Sequence, residues 1–246
     1  MSPLLSLAVP CYNEASGLPA LLAAFAAAGA GRDFELILVD NGSTDATPAV
    51  LAAELPKYPF ARSLRVEPNR GYGGGILAGL AAAGGLYRGW THADLQFPAA
   101  AVFEALDLAR ALGPAAYVRG ARLGRPASDR FFTGILGLVY SACLGGRLRD
   151  MSGQPVVFSA GLLDGASPPS DFSLDAFSLA LALRRGWRVE RFGVAVAPRA
   201  AGLSSWNTGL RSRLALALRY LKAVPALRRA LRSVRSSGPE IPHKNS

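Results

Sequence analysis

Four polar clusters carry the residue types that bind and activate a charged substrate. Val9-Pro10-Cys11-Tyr12-Asn13-Glu14 and Val39-Asp40-Asn41-Gly42-Ser43-Thr44-Asp45 each close an apolar run. Acid and amide side chains at such turns either cap the local backbone or face a ligand, and each cluster alone leaves both readings open. Asn69-Arg70-Gly71-Tyr72-Gly73-Gly74-Gly75 holds four glycines in five positions, small enough for a backbone to approach a phosphate or sugar closely. The Gly-x-Gly-x-x-Gly spacing of a dinucleotide site is absent there. In the fourth cluster, Thr91-His92-Ala93-Asp94-Leu95-Gln96-Phe97-Pro98, alternation along an extended segment puts His92, Asp94 and Gln96 on one side, where they could share a cation. One carboxylate, completed by substrate phosphates, suits Mg²⁺ or Mn²⁺. Catalytic Zn²⁺ suits it poorly, because the second histidine, His243, lies far off in the tail.

The elements that must position these clusters follow from hydrophobic patterning. Short apolar runs at 4–9, 34–39, 64–66, 89–91 and 115–118 alternate with Ala/Leu-rich stretches of helical length, which predicts an α/β fold with a mostly parallel central sheet covered by helices. In such a sheet ligands bind beyond the carboxyl ends of the strands, where the four clusters fall. Ser16 before Pro19, and Thr44-Asp45 before Pro48, read as capped helix starts. Residues 187–197 read as a further strand, 207–235 as basic amphipathic C-terminal helix interrupted at Pro225, and 236–246 as a disordered tail.

With 246 residues, half of them hydrophobic and 18% charged, the chain is globular, and 1–206 is expected to form one domain. The uncharged stretches 15–31 and 131–146 are too short to span a bilayer. The first residues lack a basic region followed by a cleavage site, and Cys11 and Cys143 form no disulfide framework, so a cytoplasmic location is expected. Net charge is +10, but residues 1–190 hold sixteen basic and sixteen acidic side chains. Ten basic residues and no acid lie between Arg191 and Pro239, so the excess belongs to the C-terminal segment.

In this order and spacing the clusters resemble the family-2 glycosyltransferases of the GT-A fold, in particular dolichyl-phosphate mannose synthases and bacterial polyprenyl-phosphate glycosyltransferases. The resemblance runs from about Leu5 to Trp206. It implies that Pro10, Tyr12, Glu14 and Asp40 line the nucleotide pocket, that Gly71 lets the chain pass close to the donor, and that Asp94 and Gln96 hold the metal. The family usually has Asp-x-Asp-x-Gln where this chain has His92-Ala93-Asp94-Leu95-Gln96. Gly120-Ala121-Arg122 resembles the family's Gly-Ser-Arg, Asp150-Met151-Ser152-Gly153 its Asp-x-x-Ser-Gly acceptor loop, and the stretch from Arg199 to Ser204 its Arg-x-x-Gly-x-Ser element. Arg122, Arg130 and Arg199 are then phosphate-holding candidates, with Asp150 and Ser152 beside them. Asp175 sits where the family often has an acid. Asp94, Arg122 and Arg130 are the expected catalytic groups.

The implied reaction is inverting transfer of a hexose from a nucleotide sugar of GDP-mannose or UDP-glucose type. A hydroxyl acceptor would need a general base, and no Glu-Asp pair offers an obvious one. A polyprenyl or dolichyl phosphate is already ionised near neutral pH and needs only arginines to place it. The tail supports that acceptor: Leu227, Leu231 and Val234 share a helical stripe, with Arg228, Arg229, Arg232 and Arg235 on the other faces, as in a helix lying on an anionic membrane at its cytoplasmic face. Three alternatives stay open: a saccharide or glycolipid hydroxyl as acceptor, a sugar-nucleotide-binding domain without turnover, and contact with a membrane-protein partner subunit. A single basic tail without interleaved aromatics gives no nucleic-acid reading.

Overall fold

Leu5–Cys11 (β1) and Phe34–Asp40 (β2) are apolar at almost every position rather than alternating, because both faces of their sheet are covered. The computed structural model describes residues 2–197 and 210–234. The strands Ala61–Arg65 (β3), Tyr87–Trp90 (β4), Ala116–Leu123 (β5), Val156–Ser159 (β6) and Arg188–Ala195 (β7) complete a seven-stranded sheet of order β3-β2-β1-β4-β6-β5-β7. All neighbours are parallel except β6, which runs antiparallel to both β4 and β5.

Register sets the site. Cys11, Asp40 and Arg65 are paired across β1, β2 and β3, so the carboxyl ends of three strands finish in one row. Trp90, the last residue of β4, pairs with Ala8, three positions short of that row, and the chain after it continues as a loop beside the end of β1.

On one face Leu18–Ala28 (α1) and Ala99–Leu112 (α4) bury Leu21, Leu22, Phe25, Phe103 and Leu106 against the odd positions of β1. Short α2 (Thr47–Glu54) follows β2. The opposite face carries Gly71–Ala81 (α3), Ala127–Leu144 (α5), Leu174–Arg184 (α6) and Leu210–Ser233 (α7), with Trp90, Tyr117, Phe158 and Phe177 at its centre. α3 lies so close to the sheet that a Cβ at Gly79 would stand 2.6 Å from the Ala8 Cβ.

Several expectations are corrected. α1 and α2 are preceded by Gly17 and Ala46, which make no side-chain cap bond; of the expected caps Asp45 acts, its Oδ1 accepting the Thr47 N–H at 2.9 Å at the start of α2, while Ser16 and Thr44 do not cap these helices. β6 was not foreseen. α7 continues through Pro225; Leu221, whose carbonyl loses its N–H partner there, sits on the exposed side, where that loss costs little. Leu227, Leu231 and Val234 are buried against the domain beside α5 and α6, so this stripe faces protein. Arg199, Arg235, the boundary at 206 and the tail 236–246 lie outside the described residues. No helix among the described residues is long and apolar enough to cross a membrane.

Candidate active site

The turns after β1 and β2 are laced to one another. Asn13 adopts φ +57, and its Oδ1 accepts the backbone N–H groups of Thr44 (2.9 Å) and Asp45 (3.3 Å). Ser43 Oγ accepts the Asn13 N–H at 3.1 Å, and Thr47 Oγ1 accepts that of Glu14 at 2.9 Å. These side chains satisfy turn backbone, the structural reading of their types. The remaining members, half-exposed Tyr12 and partly buried Pro10 and Glu14, border the same rim. Asp40 is buried there, accepting the Ser43 N–H at 2.9 Å and pairing with Arg65 Nη1 at 2.7 Å. Arg65 is a site residue that the sequence did not single out.

Asn41 ties this rim to α3: its Nδ2 donates to the Gly71 carbonyl at 2.8 Å and its Oδ1 accepts the Arg70 N–H at 3.0 Å. Gly71, at φ +74, opens the helix in a conformation that favours glycine. The next glycines are consumed by packing: a Cβ at Gly73 would meet the backbone of residues 170–171 at 2.6 Å, and one at Gly75 would meet Asn41 and Pro10 within 3.2 Å. Pro10, Tyr12, Glu14, Asp40 and Gly71 are thus brought together at one end of the sheet.

The loop at 91–98 is not extended. Leu95 has φ +55, and Asp94 Oδ1 accepts the Gln96 N–H at 3.2 Å, so the chain turns and the alternation expected for His92, Asp94 and Gln96 does not hold. His92 enters an aromatic row instead, its ring 5.6 Å from Tyr72 and 6.1 Å from Phe97, while Tyr72 stacks on Phe172 at 5.1 Å. Among the described residues no three His, Cys, Asp or Glu side chains converge as a metal cluster. Asp94 with the neighbouring Gln96 amide is a sparse oxygen-donor set, and it fits a hard divalent cation that takes most of its ligands from a substrate diphosphate.

Beneath the row lies a buried polar group. Asp175, 3% exposed, accepts Trp90 Nε1–H at 3.1 Å and the Tyr72 hydroxyl at 3.3 Å; burial pushes its carboxyl up to about 7, against the pull of Trp90, Arg119 and Tyr72. Gln154 Nε2 donates to the Tyr72 oxygen. Arg119 is fully buried with none of its guanidinium nitrogens hydrogen-bonded to protein, and burial lowers its pKa.

At the end of β5, Arg122 Nη2 donates to Asp150 Oδ1 at 2.6 Å and lies 3.5 Å from Ser152 Oγ, while Arg125 Nη1 reaches the same Asp150 oxygen at 3.2 Å. Burial opposes ionisation of Asp150, but Arg122, Arg119 and Arg125 outweigh it and hold the carboxyl below its ordinary value. A cavity of about 650 Å³ opens here, lined by Arg122, Arg125, Arg130, Arg147, Arg149 and Arg191 with Asp150, and walled by Phe131, Ile135 and Leu138 of α5. Arg122, Arg130 and Asp150 meet as expected, with Ser152 beside them. Four further arginines join them, unmarked by any motif although three lie in the stretch 125–149.

This geometry gathers a polar rim at the ends of β1–β3 and, beside it, an arginine cavity that can bind an anion. A model of Glycosyl transferase family 2 matches residues 6–149. The chain belongs to glycosyl transferase family 2. The glycosyltransferase is 28% identical over 228 residues to an uncharacterized glycosyltransferase of Mycobacterium tuberculosis, covering 88% of this chain and 95% of that protein. A shorter match, 36% identical over 97 residues, joins it to the undecaprenyl-phosphate 4-deoxy-4-formamido-L-arabinose transferase of Enterobacter sp., covering 38% of this chain and 29% of that one. Glucosyl-3-phosphoglycerate synthase from Mycobacterium tuberculosis, solved with Mn²⁺, UDP-glucose and phosphoglyceric acid, superposes with a TM-score of 0.67 at 17% identity over 92% of this chain and 80% of that one. The fold is that of the GT-A nucleotide-sugar transferases.

Proposed function

We propose that the glycosyltransferase moves a hexose, with inversion, from a nucleoside-diphospho sugar of GDP-mannose or UDP-glucose type to a polyprenyl or dolichyl phosphate. The observation that carries this reading is the arginine cavity with an apolar wall. Phe131 is 72% and Leu138 69% exposed on α5, and Ile135 lies on the same stripe. A site offering guanidinium forks on one side and exposed apolar side chains on the other is complementary to an amphiphile with a phosphate head.

In the proposed step an oxygen of the acceptor phosphate bonds to the anomeric carbon as the bond from that carbon to the donor diphosphate breaks, and the nucleoside diphosphate leaves with the electron pair. The acceptor is already ionised near pH 7, so no base is required. Arg122 and Arg130 place it, and Asp150, held ionised by its arginines, keeps Arg122 in position. Mg²⁺ or Mn²⁺ held by Asp94 and Gln96 would neutralise charge on the departing diphosphate. Pro10, Tyr12, Glu14, Asp40 and Gly71 hold the nucleotide.

Exposed apolar side chains give the membrane reading a new location. Phe131, Ile135 and Leu138 on α5 and Leu218 and Leu221 on α7 are exposed. Peripheral contact with an anionic leaflet at its cytoplasmic face is assigned to the α5 stripe in place of the buried Leu227 stripe.

A hydroxyl acceptor is the second reading, favoured by Asp175: a carboxyl near 7 matches a general base, though this one is enclosed by Trp90 and Tyr72. Radiolabelled nucleotide sugars should be supplied with Mg²⁺ or Mn²⁺ and, in separate arms, undecaprenyl phosphate, undecaprenol and phosphoglycerate. Label entering the organic phase only with the lipid phosphate supports the proposal. Transfer to the alcohol or to phosphoglycerate alone overturns it.

A further inference from the structure

Where α5, α6 and α7 end, three arginines gather without an acid. They are Arg184 in the last turn of α6 and Arg228 and Arg232 of α7, and they line a cavity of about 220 Å³ walled by the end of α5 from Cys143 to Gly145. Among the described residues neither Arg184 nor Arg232 forms an ion pair. Arg228 is held from behind, its Nε–H donating to the Cys143 carbonyl, which sets the plane of the guanidinium and leaves both Nη groups without a hydrogen bond among the described residues.

Cations at helix C-termini have a structural use, because they offset the macrodipole and bond the last carbonyls. Here they exceed it. Three helix ends carry about half a negative charge each and so balance about half of the three positive charges; the remainder repels itself until an anion joins it. A phosphate supplies that charge, and a guanidinium whose plane is already set loses less rotamer freedom on gripping it. Position argues for a phosphate carried by a lipid. Gly145 lines this cavity and the next residue, Gly146, lines the cavity around Arg122, so the two cationic cavities flank one turn of chain at the end of the helix that exposes Phe131, Ile135 and Leu138. A leaflet, which holds its phosphates in one plane, can present a headgroup to each.

We propose that Arg184, Arg228 and Arg232 bind the phosphate of an anionic phospholipid headgroup, a second phosphate site separate from the one assigned to the acceptor. This rests on the membrane contact read for the α5 stripe.

Vesicle flotation of the full chain compares phosphatidylglycerol mixed into phosphatidylcholine with phosphatidylcholine alone. Arg228→Gln would also break the contact to Cys143, so the deciding variant is Arg184→Gln with Arg232→Gln, two exposed side chains whose exchange should leave the urea midpoint unchanged. At about fivefold per arginine near an anionic surface, this pair should weaken partition onto the anionic vesicles roughly twentyfold and onto the neutral ones by no more than about twofold. Lys222→Gln with Arg229→Gln removes the same charge from α7 outside the cavity and should weaken it by less than about threefold. Equal losses in the two pairs, or none in the first, overturn the proposal. Inorganic phosphate, titrated calorimetrically, separates the two sources: heat of binding that vanishes in the first pair while vesicle partition stays unchanged assigns the cavity to a free phosphate and overturns the lipid assignment. A wild-type protein that floats on neither vesicle overturns the membrane contact and this proposal together. One that floats on both equally, with the first pair unaffected, overturns this proposal alone.

Discussion

Asp175→Asn should flatten the pH dependence of stability on the alkaline side. The Asp175 carboxyl stands near 7 in the fold because burial disfavours its charge, against about 3.9 in an unfolded chain. The folded state therefore keeps a proton that the unfolded state has already released. Its contribution is neutral below about pH 4, becomes a growing cost as pH rises toward 7, and is constant above that. Between pH 5 and pH 8 these two values give a loss of about 3 kcal/mol from this group alone. Asparagine keeps the shape and an oxygen to accept the Trp90 Nε1–H, now 3.1 Å from the carboxylate, but does not titrate. Asp150 does not mask the effect, since its lowered carboxyl titrates below this window. Urea unfolding at pH 5, 6, 7 and 8 measures both proteins, and the wild type should lose stability relative to the variant by roughly this amount across the series. Parallel profiles would show the carboxyl already ionised at pH 5 and refute the reasoning. The same variant separates the two acceptor readings: transfer to a lipid phosphate should survive within about tenfold, whereas loss of a general base typically costs 10²–10⁴-fold.

Asp94→Ala should abolish transfer while leaving the urea midpoint close to wild type, because it removes the one carboxylate assigned to the cation, and EDTA should do the same to the wild-type rate, reversibly on adding Mg²⁺ or Mn²⁺. Gly79→Val should destabilise the fold by about 2–3 kcal/mol in the same unfolding assay, since its Cβ would stand 2.6 Å from the Ala8 Cβ and 2.9 Å from Val39 with no room to yield. Phe131→Ser with Leu138→Ser should lower partition onto anionic vesicles at least tenfold in a flotation assay without loss of stability, each being a large apolar side chain withdrawn from the interface. Leu227→Ser should instead lower stability by roughly 2–4 kcal/mol, because that side chain is 1% exposed.

The strands and the rim they build were legible because covered parallel strands leave unbroken apolar runs, and because ligand-facing turns collect acids, amides and glycines where those runs end. The sequence was silent wherever the decision belonged to tertiary contact. Nothing local marks Arg65 as the partner of Asp40, because the pairing depends on β2 and β3 ending in register. At His92, Asp94 and Gln96 a single residue, Leu95, breaks the alternation, because its positive φ turns the chain. The Leu227–Leu231–Val234 stripe reads identically whether it will meet lipid or protein, since the hydrophobic effect is non-directional; α5 and α6 had already claimed it. β6, four residues within an otherwise irregular stretch, is too short to show a period.

That short strand explains how the Asp94 turn and the Arg122–Asp150 pair come to share one rim. In a purely parallel sheet the residues preceding a strand arrive at its amino end, away from the ligand edge. β6 runs the other way, so the chain leading into it, Asp150 to Pro155, arrives at the carboxyl edge. Val156 is paired with Trp90 on one side and Arg119 on the other. The loop from Asp150 to Pro155 is therefore wedged between the strand that leads into the Asp94 turn and the strand that carries Arg122 near its end, two strand spacings or about 10 Å apart. Gln154 then reaches Tyr72 on one side while Asp150 clamps Arg122 on the other, five residues spanning the gap that the proposed sugar transfer would cross. Under the proposed transfer to a lipid phosphate, reversing one strand would supply the proximity that a displacement between two anionic substrates requires, and the arginines gathered at β5 would offset the repulsion between them.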